Sequence, residues 1–414
     1  LLQSAGAISS FCANIYLEKR IVMLKSIALI MLIGMSAGWV CRKVKLPGLL
    51  GMLFTGIILG PYVFNLLDSS ILLVSADIRK IALVIILTRA GLTLNLEDLK
   101  KVGRPAFLMC FVPATFEMLG MIILAPRLLS VSLIEAAVIG AVVAAVSPAV
   151  VVPKMIKLME DGYGTKQGIP QLILAGASVD DVYVIVMFTA FTSLAQGGNV
   201  SVMSFVNIPV SIMFGIIIGI IIGKALAVVW KKLHIRDTVK AAIFLSVALL
   251  LVDIEASLNT PITFASLISV MFIGIALKKD RPEVAFRLSQ KYNKMWVWAE
   301  VMLFVLVGAT VDIGYVAYAG VSSIVIIIGA LIFRMAGVAL CMAGTKLKLK
   351  ERVFCMLAYT PKATVQAAIG GVPLSMGLAC GNTVLTVAVL AIIITAPLGA
   401  FAIDMTYRKL LKKS

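Results

Sequence analysis

The sequence predicts an all-α, polytopic membrane protein of about 13 transmembrane helices, with inverted-topology repeats and two broken helices. Composition supports the membrane assignment: 61% of the 414 residues are hydrophobic, only 14% are charged, and the mean hydropathy is +1.08. Such values lie far from those of a soluble globular chain. The positions of the positive charges and of two prolines support the rest of the prediction.

Apolar runs long enough to cross about 30 Å of hydrocarbon predict the transmembrane helices. Such runs begin at thirteen places, near residues 21, 46, 79, 104, 133, 167, 203, 238, 259, 293, 315, 351 and 383. Residues 1–20 contain a shorter run interrupted by polar side chains. We expect an N-terminal interfacial helix or part of an extra span there.

Positive charge alternates between successive loops, which supports the span count from the first span onward. The formal net charge is +17, and the lysines and arginines concentrate in every second loop and at the C-terminus. Loops such as 196–204 and 379–382 contain neither residue type. The positive-inside rule therefore places the basic loops and the C-terminus on the cytoplasmic side. The basic residues form no continuous face, so we do not expect a nucleic acid partner.

The two halves of the chain show a repeat. Spans 2 to 6 recur as spans 9 to 13 at an offset of roughly 213 residues, and Pro148 and Pro361 are separated by that same distance. The offset is an odd number of spans, so the repeats are inverted, as in many secondary transporters with a site near the membrane midplane. Each proline removes a backbone donor and disfavours helical geometry at the preceding residue, Ser147 or Thr360. We expect a broken helix at each position.

These features divide the chain into four segments. They are an N-terminal segment (1–20), a first repeat of spans 1 to 6 (21–202), a linker helix formed by span 7 (203–237), and a second repeat of spans 8 to 13 (238–414). Span 7 contains Gly215, Gly219 and Gly223 at four-residue spacing. This spacing predicts a close packing face against another helix.

Two adjacent carboxylates, Asp180 and Asp181, stand inside an otherwise apolar segment. Taking one carboxylate to the middle of a bilayer costs roughly 2.5 to 3.5 kcal/mol on insertion scales, so a pair indicates a compensating cation. Two such groups resist joint ionisation in a low dielectric, and either a proton or a dehydrated sodium ion relieves the repulsion. Competition between a proton and a hard cation for one set of oxygens is sufficient for an antiporter.

Hydroxyl groups near these positions offer further oxygen ligands. Ser147, Thr360 and Ser178 either contribute to a cation site or bond back to their own helices, and both readings stay open at this point. The backbone N–H and C=O groups freed at the two breaks are expected to face each other near the midplane. Helix C-termini favour cations there and N-termini favour anions.

Four further charged side chains lie in apolar spans: Arg89, Glu117, Arg334 and Lys362. Lys362 follows the second break, where it offsets the charge of the helix ends or pairs with an aspartate. Glu117 and Arg334 lie in spans 4 and 11, and we expect a buried ion pair between them because an orphaned buried charge costs about 3 to 5 kcal/mol. The partner of Arg89 is not readable from the sequence.

The chain resembles the sodium/proton exchangers of the monovalent cation/proton antiporter superfamily, closest to the NHA branch, over nearly its whole length from about residue 21. Asp180-Asp181 looks like the paired-acid motif of this family on the helix after the first broken one. Ser147-Pro148 and Thr360-Pro361-Lys362 resemble the unwound segments of its two crossed helices. The resemblance implies that the two broken helices cross.

Three charged residues extend the resemblance. Arg334 occupies the place where electrogenic relatives have a lysine, Glu117 resembles the acidic partner of that arginine in the NHA branch, and Arg89 also matches this branch. The family implies a core domain of six helices that moves in an elevator-like step against a dimerisation domain, the two domains being interleaved in the chain, in a homodimer. It implies no cofactor beyond the transported ions.

The sequence therefore predicts a secondary antiporter, not an enzyme, that exchanges Na⁺ or Li⁺ for H⁺ across a cell or inner membrane and serves pH and sodium homeostasis. Asp181 is the predicted main ligand, with Asp180 as its partner. Two alternatives stay open: K⁺/H⁺ exchange, and Na⁺-coupled symport of an organic anion bound by Lys362 and Arg334. Stoichiometry depends on whether Arg334 is tied to Glu117 or to the aspartates.

Overall fold

The regular structure of the described residues is helical. The computed structural model describes residues 2–93, 103–197, 202–233, 235–258 and 264–413. Its helices are α1 (Leu2–Lys43), α2 (Gly48–Leu59), α3 (Ser69–Leu73), α4 (Ser75–Thr93), α5 (Arg104–Met109), α6 (Val112–Leu129), α7 (Leu133–Ala144), α8 (Pro148–Glu160), α9 (Ile169–Gln196), α10 (Val202–Lys232), α11 (Asp237–Ser257), α12 (Ser266–Asp280), α13 (Pro282–Ala309), α14 (Ile313–Cys341), α15 (Leu349–Ala358), α16 (Thr364–Ile369), α17 (Val372–Ser375) and α18 (Gly381–Leu410). Within these ranges strand pairing is limited to one isolated bridge, between Tyr163 and Lys413.

Several helices are suited to a bilayer. In the described part of the chain, seven helical segments are long and apolar enough to cross a membrane: Met23–Lys43, Arg104–Leu129, Leu133–Glu160, Ile169–Gln196, Val210–Lys232, Gly320–Cys341 and Gly381–Leu410. The all-helical prediction is confirmed, while the total of thirteen crossings stays a prediction. The N-terminal residues continue into the first predicted span without interruption, because α1 is one helix from Leu2 to Lys43.

Close helix pairs position the interior of the protein. Helix α6 lies along α14, α13 packs against both α2 and α4, and α10 packs against α12. The last pair uses the glycine face predicted in span 7: a Cβ added at Gly219 would lie 2.5 Å from the carbonyl oxygen of Ser269, and one added at Gly215 would lie 2.6 Å from that of Ala265. The predicted packing face is confirmed.

Both predicted helix breaks are present. Helix α7 ends at Ala144 and α8 begins at Pro148, with the intervening Ser147 in an extended conformation (φ −92°, ψ 108°). The second break is longer and separates α15 from α16 over residues 359–363. The two breaks touch directly, because the backbone N–H of Ser147 donates to the carbonyl oxygen of Pro361 at 2.8 Å. The unwound segments therefore meet in the interior.

Candidate functional site

Asp180 lies on α9 at the first break and is fully buried. Its Oδ2 accepts a hydrogen bond from the backbone N–H of Val146 at 2.8 Å and another from Nη2 of Arg334 at 3.1 Å. The N–H belongs to the unwound segment that leads into α8, where a free backbone donor and the helix dipole both favour a carboxylate. Asp180 therefore fixes α9 to the first break.

Arg334, on α14, connects both breaks to the acidic groups. Its Nε donates to the carbonyl oxygen of Tyr359 at 2.6 Å, at the end of α15, and its Nη1 donates to Oε2 of Glu117 at 2.7 Å. Nη1 also donates to the carbonyl oxygen of Ala144, at the end of α7. The expected contact between Glu117 and Arg334 is present. Arg334 contacts Asp180 as well. The expected alternative, in which Arg334 is tied either to Glu117 or to an aspartate, is therefore wrong, because one planar guanidinium reaches both carboxylates.

Lys362 extends the network from the second break. Its Nζ lies 2.6 Å from Oε2 of Glu117 and 3.5 Å from the carbonyl oxygen of Ala144, and its backbone N–H donates to Oγ1 of Thr395 at 2.9 Å. The ion pair with an aspartate considered from the sequence is corrected: the carboxylate bound by Lys362 is that of Glu117. Lys362 also offsets the negative end of α7, as the alternative reading expected.

Asp181 differs from its neighbour. Each of the two aspartates has a buried Oδ1 without a hydrogen-bond partner, but Asp180 is held through its Oδ2 by two donors and is 0% exposed, whereas Asp181 retains 9% exposure. Consecutive residues of an α-helix lie about 100° apart around the axis, so the side chain of Asp181 leaves α9 in a different direction from that of Asp180. A buried carboxylate oxygen without a donor is a place where a proton or a cation binds favourably.

The three hydroxyl candidates have different surroundings. The Oγ of Ser147 is buried without a partner, whereas Oγ1 of Thr360 donates to the carbonyl oxygen of Leu357, 2.8 Å away on its own helix. The side chain of Ser178 lies outside the described residues. Ser147 is thus available as a ligand at the first break, and Thr360 follows the back-bonding alternative.

Arg89 lies against α13 and not in the network around Arg334. Its guanidinium is 5.9 Å from the ring centroid of Trp296, within the range of a cation–π contact, and Glu300 is its acidic neighbour. These contacts supply the partner that the sequence left open. Its predicted part in charge compensation stays a prediction.

Two buried residues were missed by reasoning from charge. Gln366 on α16 is fully buried, and its Nε2 donates to the carbonyl oxygens of Val143 and Ala145. Tyr359 donates from its hydroxyl to the carbonyl oxygen of Met109 at 3.0 Å. A glutamine inside an apolar span is a sequence signal for a buried polar contact, but a search restricted to charged residues does not detect it.

The charges of the cluster do not balance on their own. When fully ionised, the cluster holds three carboxylates (Glu117, Asp180 and Asp181) and two cationic groups (Arg334 and Lys362), which leaves one negative charge. One proton or one monovalent cation neutralises it. Among the residues that the structure describes, no three His, Cys, Asp or Glu side chains gather as a polydentate metal site.

Comparison with known families decides the class of the protein. A model of the transmembrane sodium/hydrogen exchanger family matches residues 27–409. The chain belongs to this sodium/hydrogen exchanger family. This match confirms the predicted superfamily of sodium/proton exchangers. Members of this family are transporters and not enzymes. The protein is therefore an integral, multi-pass membrane protein.

Individual relatives agree with the family match. Sodium/hydrogen exchanger 9B2 of Xenopus tropicalis is 32% identical over 354 residues, covering 82% of this exchanger and 65% of the relative. The human 9B2 protein is 30% identical over 384 residues, covering 89% and 70%, and the human 9B1 protein is 31% identical over 390 residues, covering 89% and 73%. The chain thus spans about two thirds of the length of the first two relatives.

A solved structure shows the same fold. The sodium proton antiporter MjNhaP1 of Methanocaldococcus jannaschii, determined at pH 8, superposes with a TM-score of 0.81 at 17% identity, covering 95% of this exchanger and 99% of that chain. A second structure of MjNhaP1, from an electron microscopy map, superposes with a TM-score of 0.73. These matches confirm the all-helical antiporter fold, and the number of crossings stays a prediction.

Proposed function

We propose that this exchanger is a secondary antiporter that moves Na⁺ or Li⁺ in exchange for H⁺ by alternating access, with Asp181 as the group that binds either ion. The observation that carries the proposal is the unpartnered, buried Oδ1 of Asp181 beside an Asp180 that is held by two donors. Asp180 fixes the geometry, and Asp181 is left free for the transported ion. Ser147 supplies a second oxygen at the first break.

The charge of the cluster supports a one-for-one exchange. A single negative charge is neutralised by one Na⁺ in one transport step and by one H⁺ in the other, so no net charge moves in a complete cycle. We assign the exchanged proton to Asp181, because Arg334 and Lys362 are both bound to Glu117 and to the carbonyl oxygen of Ala144. We therefore propose electroneutral transport without a cofactor.

The same contacts weigh against symport of an organic anion. Such a reaction needs a cationic group that is free to bind the anion. In the described structure Arg334 and Lys362 are both engaged by carboxylate and carbonyl oxygens. Antiport of a cation requires no rearrangement of these pairs.

Family membership also supports a larger arrangement. We propose that the first repeat (21–202) and the second repeat (238–414) each contribute helices to an ion-carrying core and to a dimerisation domain. The core moves in an elevator-like step within a homodimer in the lipid bilayer, with a cytoplasmic C-terminus. The direct contact between the two breaks supports this proposal because it makes one rigid unit of their helices.

Proteoliposomes with an internal pH dye test the exchange. Added Na⁺ or Li⁺ should change the internal pH in the absence of any organic solute. The apparent KM for Na⁺ should rise by about tenfold per unit fall in pH once the proton competes, with the maximal rate unchanged, because the ligand must be deprotonated to bind the cation. Silence to Na⁺, Li⁺ and K⁺ alike contradicts exchange, and a response to K⁺ only reassigns the cation. Current on a solid-supported membrane would contradict the electroneutral cycle.

A further inference from the structure

The geometry points to Gln366 as a residue that determines cation affinity: its amide occupies the backbone carbonyls at the end of α7 and so keeps them from the transported cation. This inference rests on the proposed exchange of Na⁺ for H⁺. It concerns which oxygens the ion meets beyond the carboxylate of Asp181.

Side-chain donors form hydrogen bonds with three successive carbonyl oxygens where α7 unwinds. Gln366 Nε2 donates to Val143 O at 3.2 Å and to Ala145 O at 2.9 Å. The carbonyl between them, that of Ala144, accepts from Arg334 and Lys362. Both protons of one amide nitrogen therefore form hydrogen bonds with carbonyl oxygens at the same helix end.

These carbonyls are otherwise attractive cation ligands. The last carbonyls of a helix lack backbone partners and carry partial negative charge. Unwound backbone carbonyls coordinate Na⁺ in other transporters with broken helices, and hard cations prefer oxygen ligands. The carbonyls also lie close to the acids, because the N–H of Val146, the residue after Ala145, donates to Asp180 at 2.8 Å.

The orientation of the amide supports a directed role. Because Nε2 faces the end of α7, the Oε1 of Gln366 points away from these carbonyls, and it is buried without a partner. An unsatisfied buried acceptor has a free-energy cost. This cost arises because both protons of the amide form hydrogen bonds with the carbonyl oxygens of Val143 and Ala145.

Replacing the amide should therefore strengthen binding of the cation. Gln366→Met keeps an unbranched side chain of similar length but removes both donors, so Val143 O and Ala145 O become free. We expect the apparent KM for Na⁺ in proteoliposomes to fall by about tenfold, which corresponds to about 1.4 kcal/mol. A merely structural role predicts the opposite, because a disordered break raises the KM or lowers the maximal rate.

A matched control exists on α9. Gln171 also has a buried Oε1 without a partner, and it lies nine residues before Asp180, about 13 Å along the helix. Gln171→Met should leave the KM within about twofold of the wild type, a change of about 0.4 kcal/mol. Gln366→Asn is a second test variant, since its shorter amide cannot reach both carbonyls, and a smaller fall in KM is expected.

The outcomes separate this inference from the proposed function. A wild-type protein without Na⁺-driven proton movement contradicts the exchange itself. A wild-type protein that exchanges, combined with a Gln366→Met KM that is unchanged or raised, overturns only the role of Gln366. Should Gln366→Met fail to fold, the KM of Gln366→Asn decides by the same criterion.

Discussion

The two helix breaks both lie at a proline but have different partners. At the first break (145–147) charged side chains dominate. Asp180 accepts a hydrogen bond from the backbone N–H of Val146 at 2.8 Å, and the carbonyl of Ala144 accepts hydrogen bonds from Arg334 and Lys362. One donor and one acceptor at this break, the N–H of Val146 and the carbonyl of Ala144, are thus bound by ionisable residues.

At the second break (359–363) neutral groups do most of the binding. The carbonyl of Pro361 accepts from the backbone N–H of Ser147 at 2.8 Å, and the N–H of Lys362 donates to Oγ1 of Thr395 at 2.9 Å. The ammonium group of Lys362 extends away from this break and contacts Glu117 and the carbonyl oxygen of Ala144 at the first break.

The difference teaches that the two breaks share an unwound backbone but not its polar partners. Two breaks with equivalent charges would give two equivalent ion sites. Here the second break contributes one cationic side chain, that of Lys362, to the first, and we propose a single site around Asp180 and Asp181. Mutations at the first break should therefore affect transport and stability together, and those at the second break mainly stability.

The largest effect on stability is expected for Arg334→Met, because Arg334 contacts both breaks. The change removes one of the two cationic partners of Glu117 and leaves Asp180 with one donor, and breaking a buried pair costs about 3 to 5 kcal/mol. The melting temperature of the purified protein in detergent should fall strongly. Arg89→Met is the matched control, since a cation–π contact contributes about 0.5 to 2 kcal/mol.

A double mutant refines this test. Glu117→Gln combined with Arg334→Met should cost less than the sum of the two single changes, because the two side chains contact each other at 2.7 Å. Equal melting temperatures for Arg334→Met and Arg89→Met would contradict the unequal roles of the two arginines.

A smaller loss is expected for Thr395→Val at the second break. The change leaves the buried N–H of Lys362 without its acceptor, at a cost of about 1 to 3 kcal/mol. Exchange in proteoliposomes should keep its KM for Na⁺. Thr406→Val on the same helix is the control, because the hydroxyl of Thr406 donates only to its own helix. Identical melting of the two variants would argue against the bond to Lys362.

The smallest effects are expected at the two hydroxyls that precede the prolines. Ser147→Ala removes an unpartnered oxygen at the first break and should raise the KM for Na⁺ by about fivefold, or roughly 1 kcal/mol. Thr360→Val removes a hydroxyl already bonded to Leu357 and should leave the KM unchanged. The reverse order would move the ion site towards the second break.

The sequence predicted those features that follow from strong local rules. Pro148 and Pro361 disfavour helical geometry at the residue before them, and a buried charge such as Glu117 requires a partner of opposite sign. These two rules predict the breaks and the contact between Glu117 and Arg334.

The remaining contacts depend on which side chains face each other across the fold. Lys362 and Glu117 are 245 residues apart, and only the packing of their helices decides that this pair forms and that no aspartate takes its place. Gln366 was missed for the same reason, since nothing in its local sequence indicates that it faces the end of α7.

The central claim is that Na⁺ and H⁺ compete at Asp181 while Asp180 holds the first break. The most direct test is Na⁺-driven proton movement by purified Asp181→Asn in proteoliposomes, with its melting temperature measured alongside. The account predicts no exchange and a melting temperature close to that of the wild type, because the Oδ1 of Asp181 has no partner to lose. Retained Na⁺-driven proton movement in this variant would contradict it.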